Sequence, residues 1–348
     1  LRIARYLEAN CILVADIERG GVFAQIVGTL GLLEPDEKKL IKGIIINRFR
    51  GDISLFDEGK EWIEKKTKIP ILGILPFLKE NFPPEDSLDL LDRKSTNDKP
   101  EIEVGIIKFP SISNFSDLDP LENEEGINLN WINNSQDFDD FDLIILPGSK
   151  QTIKDITFLK ETGLIKRIQE YSNKNGNIFG ICGGLQMLGE YLEDPHSKEG
   201  LESHKKKSFK GIGILPLKTI FKKTKTTKRV ICDATWPCNT KVEGFEIHNG
   251  VTKQIKKQEE KNLKNIFKQD KIGWYFYKKD KGIIAGTYVH GIFDNDQWRI
   301  SYLNLIRDKK GIKILDKKYK SYKIKREAII NNLASQFKKH INITSLLN

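Results

Sequence analysis

The run Asn177-Ile-Phe-Gly-Ile-Cys-Gly-Gly-Leu-Gln-Met-Leu-Gly189 joins two hydrophobic periods back to back. Ile178 to Ile181 is continuous and short, the pattern of a buried strand. Leu185, Met187, Leu188, Tyr191 and Leu192 then resume at helical spacing, so the run predicts a strand that turns into a helix. Between them stands Gly180-Ile-Cys182-Gly-Gly184, a cysteine version of the G-x-S-x-G nucleophile elbow. A nucleophile on so sharp a turn needs small residues two positions to either side, where the backbone is crowded. The start of the following helix favours Cys182 as thiolate, the reactive form. The backbone N–H of Gly183 is then placed to stabilise an oxyanion. A buried structural cysteine at a glycine turn has the same local pattern, so the rest of the chain must decide.

At 348 residues the chain is longer than one ordinary domain, and two are expected. Hydrophobic residues at 39% and charged residues at 30% describe a soluble globular protein; no apolar run approaches the length of a membrane span, and no signal peptide is expected. The net charge of +10 comes from lysines scattered among Ile and Asn. That pattern favours a solvated surface over nucleic-acid binding, and it suits anionic substrates. Four cysteines, Cys11, Cys182, Cys232 and Cys238, make no disulfide framework. Cys232, Cys238 and His248 lack the paired short spacing of a zinc site. A reducing cytoplasm is the expected compartment.

Residues 1–96 read as the closing part of a parallel α/β domain. Cys11–Ala15, Gly43–Asn47 and Ile71–Pro76 are near-continuous apolar strands, and Val22–Val27 and Asp57–Thr67 supply helices between them. Asp16 and Asn47 end two of these strands, the place where open α/β sheets bind ligands. Strand-end caps are the plain alternative. No G-x-x-x-x-G-K-[ST] occurs anywhere, and the chain opens on Leu1. A phosphate loop is therefore expected upstream of this sequence. Glu85 and Asp86 form a further acidic pair, with a solvated loop as its plainer reading. A polar linker at 97–100 ends in Pro100. A second domain over 101–298 then opens with the strand Ile102–Phe109 and continues with Phe141-Asp-Leu-Ile-Ile-Leu-Pro-Gly-Ser149. A helix over Gly163–Tyr171 precedes the elbow. Gly211–Pro216, Val242–His248 and Gly282–His290 read as later strands, and Lys-rich loops or edge ribbons fall at 198–210, 222–229 and 253–271. Residues 299–348 read as one helical tail.

A thiolate needs a proton carrier, and His290 in Thr287-Tyr-Val-His-Gly-Ile-Phe293 sits at a strand end before glycine. Paired with Cys182 it makes a Cys–His site. Pro147-Gly148-Ser149 offers a second turn of backbone N–H groups beside the oxyanion. Cysteine, histidine and two glycine turns in this arrangement resemble the glutaminase domain of class I glutamine amidotransferases over residues 101–298. That class carries a carboxylate two positions after its histidine, whereas Ile292 stands here. The subfamily that amidates cobyrinic and cobyric acids departs from the class in the same way. Further stretches are similar to that subfamily: Pro147–Asp155, Gly211–Pro216, Val242–Gly250, Ser113–Pro120, Ala15–Ala24 and Asn47–Asp52.

The resemblance implies a ligase that hydrolyses L-glutamine at Cys182 through a γ-glutamyl thioester. The ammonia would amidate the b, d, e and g carboxylates of adenosylcobyrinic a,c-diamide, activated by ATP with Mg²⁺ in cobalamin biosynthesis. It also implies that residues 1–96 are the C-terminal part of a P-loop, dethiobiotin-synthetase-like domain. There Asn47 would read the adenine and Asp16 would stand near metal or acceptor. Glu246 shares a strand face with His248 and is the candidate to orient His290 in place of the missing carboxylate. An exposed strand edge is the alternative for that pair. Three other readings stay open: the sister cobyrinic acid a,c-diamide synthase, a partition-type ATPase, and a nucleic-acid-binding protein. The Asp16–Gly21 and Asn47–Asp52 stretches favour the four-carboxylate amidation, and Cys182 with His290 argues against the last two.

Overall fold

The computed structural model describes residues 1–78, 100–133, 138–199, 207–255, 263–269, 271–277, 282–315 and 321–342. Two compact units make up the chain: Leu1–Phe82 with Ile324–Asn348, and Pro83–Lys323. The expected linker lies outside the described residues apart from Pro100, as do Glu85 and Asp86.

In the first unit β1 (Cys11–Asp16), β2 (Ile41–Phe49) and β3 (Ile71–Pro76) pair in parallel in that order. Their apolar runs are continuous because both faces are covered. Ile44, Ile46 and Ile74 pack against Val22, Ile26 and Ile63 of the helices Val22–Leu32 and Asp57–Thr67. Ile45, Leu72 and Leu75 face the other way, onto Phe337 and Ile341 at the end of the helix Tyr322–His340. Gly73 bridges Ile341, and Leu72 accepts a hydrogen bond from the Asn342 amide at 2.9 Å.

The expected single tail is therefore corrected. Its last part covers a face of the first sheet, while the helix Asp296–Lys310 belongs to the second core. Trp298 and Tyr302 of that helix are fully buried, stacked on each other at 5.4 Å and set edge-on against Phe179. Removing two large aromatic faces from water fixes the helix there, at roughly 1.5–3 kcal/mol for each side chain.

The second unit opens with β4 (Ile102–Ile107), β5 (Ile112–Ser113), β6 (Ile127–Ile132), β7 (Leu143–Leu146), β8 (Gly148–Ser149) and β9 (Ile178–Ile181). There follow β10 (Tyr191–Glu193), β11 (Ser208–Lys210), β12 (Leu217–Ala234), β13 (Thr240–Gln254), β14 (Leu263–Asn265), β15 (Gly273–Phe276), β16 (Ile284–Thr287) and β17 (Val289–His290). A seven-stranded sheet runs β14-β15-β16-β9-β7-β4-β6, and β16, β9, β7, β4 and β6 are mutually parallel. A second sheet runs β11-β10-β12-β13-β17, and the short pair β5-β8 stands apart.

Two expectations change here. The helix after the elbow covers only Gly183–Leu188, and Tyr191 and Leu192 lie in β10. Residues 211–216 form no strand. Their amides occupy the last carbonyls of that helix instead, Ile212 N–H on Met187 O at 2.7 Å and Leu215 N–H on Leu188 O at 2.9 Å. Buried helix ends must find such partners, so this apolar segment is bound as a cap. The Lys-rich 222–229 stretch keeps the edge-ribbon form expected of it: it lies in β12 beyond the β10 pairing, against β13, with a register shift between Phe221 and Thr226.

Candidate active site

Cys182 follows β9 directly, with φ 49° and ψ −104°. This is a sparsely populated region that costs about 1–3 kcal/mol and persists only where its surroundings enforce it. They do so through the flanking glycines. A Cβ on Gly180 would stand 2.6 Å from the Leu185 nitrogen, and one on Gly184 would stand 1.9 Å from the Leu146 carbonyl oxygen. The turn can thus press into the sheet only with glycine on both sides. The Cys182 amide donates to Thr287 O of β16 at 2.8 Å, and its thiol reaches Ile247 O of β13 at 3.4 Å.

His290 ends β17, 4% exposed, and its ring stands near enough to Cys182 for the sulfur to act on its charge. Its hydrogen-bond partner is a residue that lies within the Ser113–Pro120 resemblance without a role of its own. Asp117, in the short 3-10 turn Phe115–Leu118, accepts from His290 Nδ1 at 2.7 Å with one carboxylate oxygen and from the Gly291 amide at 2.7 Å with the other. Burial alone would lower the His290 pKa. The hydrogen bonds and charges of Asp117 and Cys182 outweigh it and raise the value to about 10. The ring is therefore held as an imidazolium against the sulfur at neutral pH.

Glu246 does not fill that role, which corrects the sequence expectation. It faces Val289 across the β13–β17 pair, while His290 stands opposite Phe245. Its carboxylate binds His248 Nε2 at 2.8 Å and Lys228 Nζ at 2.9 Å. The pair is not an exposed edge either: both side chains are buried, and the His248 ring stacks on Tyr288 at 3.9 Å. Tyr288 in turn accepts from Gln186 Nε2 at 3.1 Å, so Glu246 and His248 brace the helix behind the elbow.

The second glycine turn arrives through the β5–β8 pair, with Ser113 opposite Gly148. A Cβ on Gly148 would lie 3.4 Å from His290 Cε1, and one on Gly183 would lie 2.9 Å from the Ser149 nitrogen. Gly148, Gly183, Cys182 and His290 are thus brought into one place. Asp155 fixes the turn, accepting from Ser149 Oγ at 2.5 Å and from the Ser111 amide at 3.2 Å. Burial pushes its carboxyl above the ordinary range, partly offset by those bonds.

Asp16 and Asn47 lie side by side in register at the ends of β1 and β2. Asp16 accepts from the Glu18 amide at 2.9 Å and meets Arg48 Nη1 at 3.4 Å, and Asn47 Oδ1 accepts from the Arg48 amide at 2.9 Å. No group of three His, Cys, Asp or Glu side chains arranged to hold a metal occurs among the described residues. Nor is any helix among them long and apolar enough to cross a membrane.

Comparison with known proteins agrees with this architecture. Residues 103–298 match the model of a CobB/CobQ-like glutamine amidotransferase domain, and residues 1–84 match that of an AAA domain. The chain is 63% identical over its whole length to a cobyric acid synthase of Prochlorococcus marinus strain AS9601, covering 68% of that protein. It is 53% identical to the cobyric acid synthase of strain NATL2A, covering 69%. Among solved structures, PurLQS from Thermotoga maritima overlays 60% of the chain and 98% of its own length with a TM-score of 0.43 and 14% identity, too loose a likeness to carry weight. The family match across more than half the chain and the identity along all of it place the chain in the cobyric acid synthase family, the glutamine amidotransferase ligases of cobalamin biosynthesis.

Proposed function

We propose that the second unit hydrolyses glutamine at Cys182, with His290 as its acid and base and Asp117 holding the ring. The observation that carries this reading is the strained Cys182 turn beside a His290 that Asp117 grips from behind. The sulfur attacks the carboxamide carbon of glutamine, and the carbonyl oxygen takes up the charge beside the amides of Gly148 and Gly183. His290 delivers its proton to the departing ammonia, leaving a γ-glutamyl thioester. The ring then takes a proton from water, whose oxygen attacks the thioester to release glutamate and restore the sulfur.

In this reading the ammonia amidates the b, d, e and g carboxylates of adenosylcobyrinic a,c-diamide, at the expense of ATP. ATP with Mg²⁺ would supply carboxylate activation. The residues present do not complete a site for them. The sequence holds no G-x-x-x-x-G-K-[ST], and Asp16 and Asn47 are engaged by Arg48 and the Glu18 amide. Asp16 and Asn47 are proposed as the wall of a nucleotide or substrate site, and no step is derived through them.

The test is a glutamine analogue carrying a diazoketone. It should alkylate Cys182 and spare Cys11, Cys232 and Cys238. Peptide mapping that finds the adduct on one of those three overturns the assignment.

A further inference from the structure

The end of the seven-stranded sheet remote from Cys182 holds a cavity of about 370 Å³ that the glutaminase chemistry does not use. It opens where β7 and β9 begin. Cys182 stands after the other end of β9, four residues on, roughly 13 Å at 3.3 Å per residue. The volume falls in the range of small-molecule sites, about 300–1,000 Å³.

Its walls are amphipathic. Phe141, Tyr171 and Ile306 supply an apolar side, and the amino groups of Lys174, Lys309 and Lys310 supply charge. Two of these cations are balanced: Lys174 pairs with Asp139 at 2.6 Å, and Lys310 pairs with Asp142 at 2.6 Å. Lys309 is different. Its amino group rests on the Asn175 carbonyl and on Asn177 Oδ1, both uncharged oxygens. Burial also presses its pKa below the usual amine range. Among the described residues the lining therefore carries three cations against two carboxylates, and the surplus charge stands beside an apolar wall.

We infer that this cavity is a binding site for a small organic anion, a carboxylate or phosphate monoester on a flat apolar body, held by Lys309. The anion would replace neutral oxygens with a full charge at Lys309, and its ring would lie along Phe141 and Tyr171. The site rests on these side chains alone and does not depend on the glutaminase reading.

Calorimetry on the wild-type chain with benzoate, phenyl phosphate and benzyl alcohol tests it. One or both anions should saturate with a Kd below about 1 mM, and the neutral alcohol should bind at least tenfold more weakly. Which anion binds more tightly tells a carboxylate source from a phosphate source. Bound anion should also slow acetylation of Lys309 by an N-hydroxysuccinimide ester at least threefold, a measurement that needs no variant. Lys309→Met should lose at least tenfold in affinity, whereas alkylating Cys182 beforehand should leave binding unchanged. Absence of anion binding, equal binding of the alcohol, undiminished Lys309 acetylation, or loss of binding on Cys182 alkylation would each overturn the inference.

Discussion

At the scale of single residues, the decisive contact is between positions 173 apart, Asp117 and His290. Asp117→Asn keeps the shape but removes the charge that holds the imidazolium, so glutaminase turnover should fall at least about tenfold. Glu246→Gln should stay within about threefold of wild type, because that carboxylate serves His248 and Lys228. Equal losses in steady-state assays of the two variants would contradict the assignment. The pH dependence has a definite sign. The folded value of about 10 lies above the ordinary 6.5, so the stability His290 contributes is complete below about 6.5 and is lost as pH rises through about 10. In urea unfolding, the margin of wild type over Asp117→Asn should be largest near pH 6 and should shrink toward pH 10. The Ser113–Pro120 resemblance contains Asp117 but gives it no role, because sequence spacing cannot report a hydrogen bond closed by tertiary structure. Glu246 was the candidate instead since strand alternation showed its face but not what covered it.

At the scale of elements, continuous apolar runs were legible wherever both faces of a strand are covered. β1, β2, β3, β7 and β9 all lie where their residues implied. The same rule misplaced 211–216 as a strand, since an apolar run that caps a buried helix looks identical to one that pairs in a sheet. Tyr191 and Leu192 kept helical spacing by accident, but Gly189 is extended and the helix stops at Leu188. The elbow was readable because its glycines answer to a steric demand within the motif itself. Gly184→Ala should accordingly destabilise the second unit by at least about 1–3 kcal/mol, the usual cost of overpacking. It should also abolish diazoketone labelling. Gly213→Ala, a positive-φ glycine in open space, should leave the labelling intact. Chemical denaturation and mass mapping measure both, and an unaltered Gly184→Ala would refute the role given to the crowding.

At the scale of the whole molecule, the chain covers 68% of the length of a relative with which it shares 63% identity. It should bind ATP no more tightly than about 1 mM, since it lacks the backbone loop that cradles phosphates in that class of fold. Titration calorimetry giving micromolar affinity would contradict this. The +10 charge led nowhere by itself, because composition counts lysines without saying which stand together, and the surplus at Lys309 appears only once Asp139 and Asp142 have been matched. The joining of Asp117 to His290 also bears on biosynthesis. Translation delivers Asp117 first, Cys182 next and His290 last of the three, so on the ribosome the cysteine is made before the histidine that would serve it. In the proposed reading an unfinished chain without His290 would leave glutamine intact, and competence would arrive when the strand carrying His290 emerges and closes on the carboxylate of Asp117.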